Sequence, residues 1–133
     1  LLVKHAHLNG FQTVPLIGPS SIFLALMASG FSGQSFTFKG YLDRDNSKKT
    51  KEIREMENLV NQTQQTQIFM ETPYRNESMW DDLMKTLKGE SKLCVAANIS
   101  LPNEYIKTKT VVEWKKSNKQ NLDKIPAIFL LGS

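Results

Sequence analysis

Two helical stripes and a series of short apolar runs organise this chain. Ile53, Met56, Leu59 and Val60 fall on one side of a helix predicted over residues 45–62, with Lys51 and Glu55 four apart on its polar side. Met79, Trp80, Leu83, Met84 and Leu87 repeat the pattern and stop at Gly89. Phe36, Phe38 and Tyr41 alternate with polar residues, which predicts a strand with one covered face. Residues 12–17, 67–70, 92–97, 109–114 and 127–131 are further strand candidates. Between the last two, Lys115 to Lys124 is polar, with room for a turn of helix.

The run from Gln12 to Ile17 ends at Gly18-Pro19, and Ser20 is placed to cap a helix over Ser21–Ser29. That helix is apolar almost all round and closes at Gly30, so it is expected to be buried. Leu1, Leu2, His5 and Leu8 recur at helical spacing before Asn9-Gly10, which reads as the tail of a helix begun earlier. The chain is therefore expected to be a fragment. Strands alternating with helices predict an α/β fold, and the closely spaced closing strands predict a mixed sheet flanked by helices.

Composition narrows the class. With 133 residues, 40% hydrophobic and 23% charged, the chain can bury one ordinary core without a disulfide or structural metal. Cys94 is the single cysteine and sits in the apolar run Leu93 to Ala97, where a buried, inert thiol is expected. That points to a reducing compartment, most simply cytoplasm. No apolar run reaches the ~20 residues of a membrane helix, and Leu1-Leu2-Val3 lacks the pattern of a signal peptide. The net charge of +4 gathers in two lysine groups, Lys48, Lys49 and Lys51, then Lys107, Lys109, Lys115, Lys116 and Lys119. Such a balance suits RNA, and suits a solvated surface equally.

The candidate chemistry lies at strand ends. Gly18-Pro19-Ser20-Ser21, between strand and helix, could cradle a ligand or be a simple capped turn; no GxxxxGK[ST] or GxGxxG occurs. Glu71 and Arg75 flank Pro73-Tyr74 and could pair locally or present a polar edge to a substrate, with Arg75 a phosphate ligand. His5 and His7 lack neighbours at ligand spacing, so no metal site and no Ser-His-Asp set is proposed. Asp81 and Asp82 are read as solvating a helix, and Trp80 and Trp114 as core rather than base-stacking platforms. The residues alone lead to an α/β domain with a cleft near the turns at 18, 71 and 126.

At these same residues the chain resembles the tetrapyrrole methylase superfamily of S-adenosylmethionine-dependent methyltransferases. Within it, the chain looks most like the ribosomal small-subunit RNA 2′-O-ribose methyltransferase group. Val14-Pro15-Leu16-Ile17-Gly18-Pro19-Ser20-Ser21, with the following helix to Ala28-Ser29-Gly30, is similar to that group's VPxPGPSA…ASG segment. Phe36-Thr37-Phe38-Lys39-Gly40-Tyr41-Leu42 looks like its F.F.G.L strand, and Ile68 to Arg75 like its IFYESPHR.

The resemblance implies two α/β domains with the methyl donor, S-adenosyl-L-methionine, in the cleft between them. Residues 18–133 would be the C-terminal domain and 1–17 a remnant of the N-terminal one. The donor-binding positions that match are Ser20, Ser21, Met70, Glu71, Asn98, Pro126 and Ala127; Tyr74 and Arg75 would face the acceptor, and no catalytic base is assigned. Lys48, Lys49 and Lys51 would meet RNA phosphate. Small-subunit ribosomal RNA is the expected acceptor, and a porphyrin or corrin ring, methylated on carbon, is the alternative. Homodimers are usual in the family. The group's Arg-Glu-Leu-Thr-like run is replaced by Ala97-Asn98-Ile99-Ser100, which feeds a third reading, an inactive methylase-like binding module.

Overall fold

The structure, a computed structural model, describes residues 1–133. Helix α1 (Leu2–Leu8) is followed by α2 (Ser21–Ser29), strand β1 (Phe36–Tyr41), α3 (Asn46–Thr63) and β2 (Thr66–Met70). A 3-10 turn at Pro73–Arg75 leads into α4 (Asn76–Thr86), then β3 (Lys92–Ala97), β4 (Tyr105–Thr110), α5 (Val111–Lys116) and β5 (Ala127–Gly132). The five strands form one mixed sheet in the order β1-β2-β5-β3-β4. β1 and β2 run parallel, and the remaining pairs are antiparallel. The expected α/β class and mixed sheet are both present.

The amphipathic stripes account for the main core. Ile53, Met56 and Val60 of α3 meet Met79, Trp80 and Leu83 of α4 over one face of the sheet. Trp80 and Trp114 stand edge to face at 5.2 Å, both buried, as the sequence suggested. The opposite face carries a smaller core, where Ala25, Leu26 and Phe31 pack on Ile68, Cys94, Ala96 and Leu130. Cys94 is fully enclosed, and burial pushes its thiol up despite a hydrogen bond with Thr108.

Several expectations need correction. Residues 12–17 form no strand: a strand exists only through lateral hydrogen bonds, and here no other strand pairs with the segment. Val14, Leu16 and Ile17 stand exposed. The strand expected at 109–114 is divided: β4 ends at Thr110, which begins α5 with a capping box. The Thr110 hydroxyl accepts from the Glu113 amide, and the Glu113 carboxylate accepts from the Thr110 amide at 2.8 Å. The β-branched pair Val111-Val112 is overridden by that cap. Helix α2 is only half buried, because one face meets the sheet while Phe23 and Met27 remain exposed. Ser20 occupies the N-cap position but makes no side-chain capping bond.

The aromatic face of β1 is likewise open rather than covered. Phe36, Phe38 and Tyr41 are exposed by 37, 41 and 58%. β1 is an edge strand, and only Phe23 of α2 reaches across, meeting Phe36 at 5.9 Å. No helix is long and apolar enough to cross a membrane.

Candidate functional site

Strand order brings three loops to one edge of the sheet. The end of β2, the end of β3 and the start of β5 lie side by side there, since Ala97 pairs with Ala127 and Met70 with Ile128. Beyond these ends opens a cleft of about 280 Å³, mostly apolar in its lining. Six of the seven expected donor-binding residues line it: Ser21, Met70, Glu71, Asn98, Pro126 and Ala127. Ser20 does not. Tyr41 and Leu101 also line the cleft and were not anticipated. Tyr41 carried a signal, an aromatic next to Gly40 at a strand end; Leu101 carried none.

Glu71 is the single charged side chain in the lining. Its carboxylate is 2% exposed and accepts from Arg75 at 2.6 Å and from the Thr72 amide at 2.7 Å. Arg75 also donates through Nε to Thr72 Oγ1 at 3.2 Å. The local ion pair weighed from the sequence is therefore present, and much of the guanidinium's donor capacity is turned inward. Tyr74, beside it, is 76% exposed and lies outside the cleft lining.

Asn98 holds a left-handed backbone with φ of 50°, a conformation asparagine tolerates better than most residues. Its amide donates to Pro126 O at 3.1 Å, which ties the loop after β3 to the loop before β5. Asn98 is 8% exposed and lines the cleft, and its carboxamide has no partner within the chain. That carboxamide reaches the solvent of the cleft and offers a donor and an acceptor to whatever enters.

The loop before β5 is also gripped from α4. Asn76 Nδ2 donates to Ile125 O at 2.6 Å, the Lys124 amide to Pro73 O at 3.2 Å, and the Leu122 amide to Glu77 Oε1 at 2.8 Å. Lys119 completes the clamp, 2.5 Å from Glu77 and 3.2 Å from Asp81. Burial pushes the Glu77 carboxyl up, but the Lys119 and Leu122 hydrogen bonds outweigh it and hold it below its ordinary value. The hydrogen bond to Glu77 raises Lys119 in turn.

Two surface expectations change. Lys49 is buried and bonded to Asp82 at 2.6 Å, so it cannot meet RNA phosphate with Lys48 and Lys51, which stay exposed. Asp82 accordingly does more than solvate its helix. Lys51 and Glu55 stand 3.9 Å apart, an exposed pair of small energetic consequence.

The cleft's apolar walls and its unpartnered carboxamide suit a nucleoside-like ligand better than a metal or a highly charged group. The sheet and cleft define an α/β domain whose fold two solved methyltransferases share. The methyltransferase CobJ superposes on 99% of this chain and 55% of its own, with a TM-score of 0.57 and 16% identity. Cobalt precorrin-4 methyltransferase CbiF, a cobalamin biosynthetic enzyme, covers 98% of this chain and 56% of its own, at 0.54 and 15%. No protein-family model matches the chain.

Sequence makes the likeness more particular. Ribosomal RNA small subunit methyltransferase I of Vibrio cholerae is 30% identical over 112 residues, covering 84% of this chain and 38% of the relative. The protein of the same name from Bacillus subtilis is 31% identical over 104 residues, 78% of this chain and 34% of the relative. That of Buchnera aphidicola from Schizaphis graminum is 27% identical over 133 residues, 98% and 45%. The chain is thus a sequence relative of the small-subunit ribosomal RNA methyltransferase I proteins, as its resemblance to the tetrapyrrole methylases implied. It spans less than half the length of each of these three relatives.

Proposed function

We propose that this chain is the donor-binding C-terminal half of an S-adenosylmethionine-dependent methyltransferase that acts on a ribose 2′-hydroxyl of small-subunit ribosomal RNA. The observation that carries this reading is the convergence of Ser21, Met70, Glu71, Asn98, Pro126 and Ala127, scattered over more than a hundred positions, on one cleft. When bound, the donor supplies an electrophilic methyl group on a sulfonium. The chain's share is then to bind, orient and exclude water, which is where much of the rate of such a transfer arises. The Asn98 carboxamide would hold a polar edge of the donor. Met70, Ala127 and Pro126 would shield it from water. Tyr74 and the outer edge of Arg75 would face the acceptor.

Residues 18–133 form the working unit in this reading, and 1–17 serve a preceding domain. The absence of any buried residue in α1 supports that division. The exposed Phe23 and Met27 of α2 and Phe36 and Phe38 of β1 accord with a homodimer or with cover by the other domain, and the single buried cysteine accords with a cytoplasmic setting.

The test is transfer of a labelled methyl group from S-adenosylmethionine by the full-length protein. Label recovered as 2′-O-methylribose in small-subunit RNA supports the reading. Label in a porphyrin or corrin ring replaces the acceptor, and no transfer to either by a donor-bound protein leaves the inactive scaffold.

A further inference from the structure

Strand β1 contains a fault that re-aims one side chain. Phe36, Thr37 and Phe38 stand opposite Thr66, Gln67 and Ile68, but the next pair is Gly40 with Phe69. Lys39 is therefore an extra residue with no partner on β2. Side chains alternate between sheet faces with period two, so in a regular strand position 41 would lie on the face opposite Phe36 and Phe38. The inserted residue cancels that alternation. Tyr41 pairs with Met70 and joins the face of Phe36 and Phe38, while Leu42 turns into the main core. Gly40 takes up the irregularity at φ of +71°; a side chain would find open space there, so the backbone conformation alone asks for glycine.

The result is an exposed tyrosine at the cleft mouth. Tyr41 is the one residue that lines both the cleft and a second cavity of about 130 Å³ formed by Lys39, Leu42, Glu52, Glu55 and Met56. A ring exposed by 58% adds little to the core, and the edge strand gives up a regular register to place it there. We infer that Tyr41 is an acceptor-side stacking residue, its ring carrying a nucleobase of the RNA whose ribose enters the cleft. This rests on the RNA reading above and adds to it the residue that seats the nucleotide.

The surroundings suit a base more than a phosphate. Glu52 and Glu55 outnumber Lys39 around the second cavity, so a neutral planar ring is favoured over phosphate inside it. Lys39, the unpaired residue of the bulge, is exposed and makes no ion pair, so a cation stands beside the ring for a flanking phosphate. Aromatic stacking accepts any base because every base has a π-face, so this position sets how the strand is seated and not which base is read.

The experiment uses the full-length protein, a fluorescein-labelled single-stranded RNA dodecamer and, separately, S-adenosylhomocysteine. Tyr41→Ala and Tyr41→Leu should each weaken RNA binding roughly tenfold. Tyr41→Phe and Tyr41→Trp, which keep a planar face, should retain it. Tyr41 borders the donor cleft, so S-adenosylhomocysteine affinity should fall in Tyr41→Ala and Tyr41→Leu by much less than RNA affinity, whereas a structural defect would lower both together. Wild-type protein that binds RNA no better than Tyr41→Ala overturns the inference alone. Equal losses of RNA and S-adenosylhomocysteine overturn it too, making Tyr41 a wall of the donor site. Wild-type protein that binds a porphyrin and no RNA overturns both this inference and the RNA acceptor.

Discussion

Glu71 sets the electrostatic terms of the cleft, because its carboxylate is almost wholly withdrawn from water and depends on Arg75 and the Thr72 amide. Removing the guanidinium leaves that charge without its counterion. Arg75→Ala should lower stability by about 2 kcal/mol, below the figure for a fully buried pair because Arg75 is partly exposed. Urea denaturation checks this, and adding Glu71→Gln should recover part of the loss, since the two residues share one interaction. Cys94 gives a second residue-scale test. Its thiol is enclosed and pushed up by burial, so it should resist a thiol reagent at pH 8 until the chain unfolds. Cys94, Trp80 and the Glu71–Arg75 pair were legible from neighbours within a few positions. The engagement of Lys49 by Asp82 was not, since 33 residues separate them and only the packing of α3 on α4 joins them.

Among the elements, α5 shows how a short local signal overrides propensity. Val111, Val112 and Trp114 favour a strand, but Thr110 and Glu113 sit three apart in a capping box. Thr110→Ala should cost about 1 kcal/mol, read as a fall in melting temperature, because it frees the first-turn amide. The strand expected at residues 12–17 failed for a different reason, since pairing is a relation with another strand that a single segment cannot reveal. The clamp between α4 and the loop before β5 predicts a pH dependence. Glu77 is held below its ordinary value of 4.5, so its stabilising contribution is complete above that value and fades as pH falls through the folded value. Glu77→Gln should be less stable than wild type at pH 7, and the two melting temperatures should converge as pH drops below about 4.5.

For the whole molecule, the site exists because sheet order places the end of β2, the end of β3 and the start of β5 together. Helix stripes and strand runs made the α/β class and mixed sheet readable from residue pattern. The order β1-β2-β5-β3-β4 was beyond that pattern, because it depends on which strands meet across long connections. The turns at 71 and 126 were grouped by residue pattern, and Asn98 joined them only through the family resemblance. Tyr41 escaped even that, its aim being set by one unpaired residue.

The most direct measurement is calorimetric titration of S-adenosylhomocysteine into the full-length protein, beside Ser21→Trp and Thr110→Ala. Ser21 lines the cleft and is exposed, so an indole there should block it without disturbing a core. Thr110 lies at the opposite end of the sheet, paired with Lys92. The account predicts saturable binding in wild type and Thr110→Ala, and its loss or strong weakening in Ser21→Trp. No saturable heat from folded wild-type protein, or undiminished binding by Ser21→Trp, would contradict a donor cleft at these strand ends.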